Sequence, residues 1–129
     1  INTQYLDNNE FENLLNKLEN INNRNKNYIL LFDTKDCGFI NIKYIYKLTK
    51  FISDLKKKSN KYLDFSIIYV NNKIVKNLLN ITFKIQKPIS YTFITENLDD
   101  IDIIKKDTQY IINNYKKDKF NSNFYLIYP

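Results

Sequence analysis

Apolar residues recur every three or four positions in two long stretches of the first half of the chain. The spacing predicts an amphipathic helix over 8–21 and a longer helix over 41–58 that ends in lysines. Two apolar runs, at 28–32 and 63–70, are short, unbroken and bounded by polar residues. Runs of this kind are typical of strands buried on both faces of a sheet. The first half is therefore predicted to alternate helix, strand, helix and strand.

The second half continues this alternation. Apolar positions predict a short helix over 73–80, and the run at 90–94 predicts a third strand. After an acidic turn, the segment 101–104 is expected to pair with that strand as a hairpin, and a last helix is expected over 107–118. These elements together predict an α/β fold, with a central mixed sheet and helices on both of its faces.

The length of the chain bounds its domain organisation. A chain of 129 residues with this apolar content is long enough to bury one hydrophobic core. We therefore expect a single domain over 1–129, with its core at about 3–118 and a tail at 119–129. The tail is apolar enough to fold back onto the domain or to lead into a further segment.

The composition is dominated by 21 asparagines, 20 isoleucines and 19 lysines, whereas arginine occurs once. This bias is typical of an AT-rich genome, so the net charge of +6 does not by itself indicate an anionic partner. Arginine usually leads in phosphate and base recognition, and nucleic acid is therefore not expected as a partner. Membrane insertion is not expected either, because no apolar stretch approaches the roughly 20 residues of a membrane span.

The chain has one cysteine and no histidine. One cysteine excludes an internal disulfide and a cysteine-rich zinc site, and the lack of histidine excludes Ser-His and Cys-His catalysis within the chain. No metal or other cofactor is therefore expected from the residues alone. The chain begins at Ile1, which is compatible with removal of a targeting segment and with the secretory pathway or an organelle. Its location and its oligomeric state are otherwise open.

Two positions give the predicted element order a family resemblance. Cys37 lies shortly after the first predicted strand, in the sequence Asp-Cys-Gly-Phe-Ile, and Pro88 lies shortly before the third. This arrangement resembles the thioredoxin fold over about residues 3–118, in which a strand runs into a Trp-Cys-Gly-Pro-Cys turn at the start of a helix. The chain is thus similar to a degenerate, single-cysteine member of the thioredoxin-like superfamily.

Three departures from the family motif bear on its chemistry. Ile40 occupies the position of the second cysteine, so no resolving thiol is present and a dithiol cycle is not expected. Leu31 stands where the family carries a buried carboxylate, and Asp36 replaces its tryptophan. The resemblance therefore implies a binding role, with at most monothiol chemistry at Cys37.

The resemblance also implies a peptide-binding surface. Pro88 would be a cis-proline that faces the cysteine motif, although a trans proline that only opens the next strand is the other interpretation. The implied peptide-binding residues are Gly38, Phe39, Ile40, Lys87 and Pro88. The first hypothesis is a domain that binds polypeptide clients or partner proteins at this cysteine and cis-proline surface, in a chaperone-like or assembly role.

Two alternatives stay open. The sequence Cys-Gly-Phe-Ile differs by one residue from the Cys-Gly-Phe-Ser motif of monothiol glutaredoxins. That similarity implies a thiol-disulfide oxidoreductase or glutaredoxin-like protein that uses Cys37, with glutathione, in cell redox homeostasis. In the other alternative the chain is a structural subunit of a larger complex. A reactive Cys37 would favour the oxidoreductase over the structural subunit, because monothiol chemistry needs a thiolate.

Overall fold

The structure is a computed structural model that describes residues 8–34, 42–57, 62–115 and 124–129. Helices and strands alternate along the chain, as the apolar pattern predicts. In chain order the elements are α1 (Asn8–Asn22), β1 (Tyr28–Asp33), α2 (Ile42–Lys57), β2 (Leu63–Tyr69), α3 (Lys73–Ile85), β3 (Tyr91–Thr95), α4 (Asp99–Asn114) and β4 (Phe124–Ile127).

The strands form one mixed sheet in the order β1-β2-β3-β4. The first three strands are parallel, and β4 runs antiparallel to β3. At the carboxyl end of the parallel strands, Asp33 lies opposite Tyr69, which lies opposite Thr95. We call this end of the sheet the carboxyl edge and the other end the amino edge. The predicted α/β class with a mixed sheet is confirmed.

Helices cover both faces of the sheet. On one face, Ile52 of α2 and Val75 and Phe83 of α3 pack against Ile68 and Ile94 of the central strands. Two successive right-handed crossovers that advance in one direction across a sheet place their helices on the same face, which explains why α2 and α3 lie side by side. The opposite face is covered by α4, whose core positions pack against apolar side chains of β2, β3 and β4.

The predicted hairpin at 101–104 is wrong, because these residues belong to α4. Ile104 and Ile111, seven positions apart, both face the core, and this spacing continues a helical stripe that a four-residue window does not reveal. Asp99 and Asp102 also lie in the first turn of α4, where acidic side chains interact favourably with the helix dipole. The strand that pairs with β3 is instead β4, formed by the tail.

The expected cis bond before Pro88 is also wrong, since the Lys87–Pro88 peptide is trans. Trans is the more stable isomer of an X-Pro bond by about 0.5–1 kcal/mol unless tertiary contacts favour the cis form. Pro88 is buried and lies shortly before β3, so it opens the strand as an ordinary trans proline.

Phe93 of β3 occupies the centre of the core and is 0% exposed. Its ring makes edge-on contacts with Phe65, at 6.1 Å, and with Phe124, at 5.9 Å. Replacing Phe93 with alanine removes both contacts and leaves a cavity, so we expect a loss of about 3–5 kcal/mol in the free energy of unfolding, measured in urea. Leu98→Ala, at a position 56% exposed, is the control and should cost less than about 0.5 kcal/mol. Equal losses in the two variants would contradict this packing.

Candidate functional site

The structure separates the parts of the predicted peptide-binding surface that it describes. Cys37, Gly38, Phe39 and Ile40 lie outside the described residues, so their predicted roles stay predictions. Lys87 is exposed, and the neighbouring proline is buried at the amino edge.

The described end of β1 lies elsewhere. The last described residue after β1 is Thr34, at the carboxyl edge, and β2 lies between β1 and β3. The described residues therefore do not bring Pro88 next to the end of β1, where the resemblance requires it.

The carboxyl edge between β2 and β3 is a second candidate, because the chain leaves β2 toward one face and β3 toward the other. Open α/β sheets often bind ligands at such a point. Here the polar groups satisfy one another. The Asn72 side chain caps α3 by accepting from the backbone N–H of Ile74 at 2.7 Å. The Thr95 hydroxyl donates to Asp100 Oδ2 at 2.9 Å and accepts from the backbone N–H of Asn97 at 3.0 Å. The polar side chains at this edge therefore stabilise the fold.

The hydroxyl of Thr95 is the centre of that network, and the residue is fully buried. Thr95→Val keeps the shape of the side chain but leaves the buried Asp100 carboxylate without this donor. We expect the free energy of unfolding to fall by about 1–3 kcal/mol in urea titrations. Thr108→Val is the control, because the half-exposed Thr108 hydroxyl donates only to carbonyls of its own helix. A cost no larger than that of the control would contradict a structural role for the network.

Neither a metal centre nor a membrane span is found in the part of the chain that the structure describes. Among these residues no group of three or more histidine, cysteine, aspartate or glutamate side chains is placed to hold a metal ion. No described helix is both long enough and apolar enough to cross a bilayer.

Helix α3 is held in a fixed rotation by contacts on its β4 side. The Lys76 ammonium pairs with Glu96 at 3.1 Å and lies 5.7 Å from the centre of the Tyr125 ring. The Tyr125 hydroxyl donates to Asn80 Oδ1 at 2.7 Å. Because Lys76 and Asn80 are four positions apart, they lie on the same flank of the helix. These contacts tie that flank to β3 and β4.

The opposite flank of α3 carries a row of exposed apolar side chains. Ile74, Ile81 and Ile85 are 55%, 48% and 60% exposed, and the half-buried Leu78 lies between the first two. Their spacing of seven and four residues aligns them along about 16 Å of one helix face. We call Ile74, Ile81 and Ile85 the isoleucine stripe. Since the β4 side of α3 is occupied, the stripe faces the side on which α2 lies.

The helices on the two faces differ in charge. Together α2 and α3 carry eight lysines and one aspartate, and α3 has no acidic residue. By contrast, α4 on the opposite face has four aspartates and two lysines. Helix α1, with three glutamates and one lysine, is joined to α2 by the ion pair between Glu12 and Lys47 at 2.9 Å. The isoleucine stripe therefore lies on the basic side of the domain.

Sequence reasoning missed the isoleucine stripe because it ended the helix at residue 80, whereas α3 continues to Ile85. The signal was present in the sequence. Val75, Leu79 and Phe83 form one apolar face at helical spacing, and Ile74, Ile81 and Ile85 form a second face beside it. A helix that covers one side of a sheet needs only one such face.

Comparison of the chain with models of known protein families, with curated proteins and with solved structures finds no match in any of the three. The functional assignment therefore rests on the geometry and charge of the described residues.

The contact between Tyr125 and α3 predicts a pH dependence of stability. Burial raises the pKa of the Tyr125 hydroxyl above its ordinary value near 10; the hydrogen bond to Asn80 opposes this rise, and the Glu96 carboxylate adds to it. The unfolded chain thus loses this proton at lower pH than the folded chain. Its contribution to stability is present below about pH 10 and is lost as the pH rises through the folded pKa.

Urea unfolding at about pH 9 and about pH 11 tests this contribution. Tyr125→Phe should be less stable than the wild type at the lower pH, because it lacks the hydrogen bond to Asn80, and should lose less stability between the two values. An identical loss in both proteins would show that Tyr125 does not contribute.

Proposed function

We propose that this chain is a protein-binding domain that holds a partner polypeptide on the isoleucine stripe of α3. The observation that carries the proposal is the alignment of three large apolar side chains, each about half exposed, on one flank of an anchored helix. Contiguous exposed apolar surface marks interaction sites more often than scattered apolar residues do. An anchored helix also presents such a surface without an ordering cost upon binding.

The stripe is large enough to contribute useful affinity. Burying the exposed half of one isoleucine side chain stabilises a complex by about 1 kcal/mol. Three aligned isoleucines then supply about 3 kcal/mol, which is the scale of one interface hot spot. A partner would gain the rest of its affinity from contacts around the stripe.

The thioredoxin-like interpretation of the fold supports the same class of function at another place. It assigns the binding of polypeptide to the surface around Cys37 and Pro88. The trans bond before Pro88 and its position at the amino edge favour α3 over that surface. Cys37 is therefore the competing site that the experiment has to include.

The test is photo-crosslinking in cells that express the protein naturally, with a crosslinking amino acid placed at position 81. We expect it to capture a defined partner, and the capture should be lost when Ile74→Gln and Ile85→Gln are added. Glutamine forms helices at least as well as isoleucine, so these changes should alter the free energy of unfolding by less than about 1 kcal/mol.

A matched control carries the crosslinking amino acid at position 81 together with Leu98→Gln and Tyr110→Gln, at positions 56% and 57% exposed, near and on α4. It should keep the partner, and so should Cys37→Ser. Loss of the partner in Cys37→Ser, with capture unchanged in the stripe variant, would instead place the binding at the cysteine surface.

A further inference from the structure

We infer that the segment bound on the isoleucine stripe is an acidic amphipathic helix. This inference rests on the proposed function and names the chemistry of the partner. Two observations carry it: the position of the stripe on the helix, and the charges that border it.

The outermost ridge of α3 is polar. Val75 and Thr82 face the core, and a residue two positions away from either lies about 200° around the helix, pointing away from the sheet. Lys73, Asn77 and Lys84 occupy three of these four positions and are exposed, whereas the fourth, Asn80, is half-buried and accepts a hydrogen bond from Tyr125. We call Lys73, Asn77 and Lys84 the polar ridge. The isoleucine stripe lies beside this ridge, on the flank toward α2.

This position favours a rod-shaped partner over a flat surface. A membrane that approaches the helix layer meets the lysines and asparagine of the polar ridge before it reaches the isoleucines. A helix about 10 Å wide can instead lie over the groove between α3 and α2, which contact each other, with its apolar side against the exposed part of the stripe. The stripe, at positions i, i+7 and i+11, matches the spacing that one face of such a helix presents.

The charges that border the stripe determine the sign of the charge expected on the partner. Lys73 and Lys84 border the stripe on the ridge side, and no described residue forms an ion pair with either of them. On the neighbouring helix α2, Lys50 and Lys57 are also exposed, with one acidic residue, Asp54, between them on the same face. Acidic residues beside the apolar face of a bound helix would meet these lysines, whereas basic residues would be repelled. An acidic helix is therefore the complement of this surface.

The experiment uses two synthetic amphipathic peptides of about 16 residues, which is long enough to span the stripe. Both have the same leucine face; one has glutamates beside it, and the other has lysines. Binding to the full chain is measured by fluorescence anisotropy. We expect the acidic peptide to bind at least about tenfold more tightly than the basic peptide, and added salt to reduce this difference.

Variants of the chain assign the binding to the stripe and to the ridge. The affinity for the acidic peptide should fall by at least about tenfold in the stripe variant, which combines Ile74→Gln, Ile81→Gln and Ile85→Gln, since each change removes an apolar contact. The control variant with Leu98→Gln, Ile103→Gln and Tyr110→Gln should bind as the wild type does.

A variant with Lys73→Gln and Lys84→Gln should bind the acidic peptide about three- to tenfold more weakly and should bind the basic peptide no more weakly than the wild type does. Equal affinity for the two peptides, lost for both in the stripe variant, would overturn the acidic partner and leave the proposed function intact.

Two further outcomes would overturn the inference together with the proposed partner. The first is that neither peptide binds, whereas vesicles of phosphatidylcholine and phosphatidylserine bind the wild type and not the stripe variant. The second is that the chain alone self-associates in sedimentation experiments and the stripe variant stays monomeric, which would make a second copy the occupant.

Discussion

The fold depends on the burial of β2 and β3 between two layers of helices. Ile67, Phe93 and Ile94 are fully enclosed, and successive side chains of each strand serve opposite core clusters. Both strands also pair on both edges, since β2 lies between β1 and β3, and β3 lies between β2 and β4. Their backbone groups are thus satisfied without water. The apolar helix faces on either side exist to cover this pair of strands.

The same constraint determines what α3 can present to a partner. Its core face packs against the sheet through Val75 and Phe83. Its β4 flank forms an ion pair with Glu96 and a hydrogen bond with Tyr125. The outer ridge and the exposed part of the flank toward α2 remain. The ridge is polar, as is usual for a surface helix, whereas the flank carries the isoleucine stripe. Because the helix is anchored on two sides, rotation of α3 to bury the stripe would break contacts that the core requires.

Local sequence patterns predicted those helices and strands whose structure is determined by residues close to them in the chain. The bounds of α1, β1 and α2 were predicted to within one residue, because the two helices show a clear helical period and the strand is one unbroken apolar run. The segment 101–104 was assigned wrongly because four residues fit a strand and a helix equally well. The strand β4 was not predicted, since it is defined by pairing with β3 rather than by its own sequence. The order of strands, which places Pro88 away from the end of β1, is long-range information of the same kind.

A composition with 20 isoleucines is enough to place some of them at the surface. It does not explain their arrangement. Ile29 is exposed singly on β1, and Ile103 on α4 has one exposed large apolar residue at helical spacing, Tyr110, among the described residues. The isoleucines of α3 share one flank over its whole length, and no acidic residue of α3 lies among them. The isoleucine stripe differs from isolated surface isoleucines because it is continuous, borders lysines and is held outward by the contacts that anchor α3. A partner helix can therefore contact it along its length while acidic side chains of that helix lie beside the lysines.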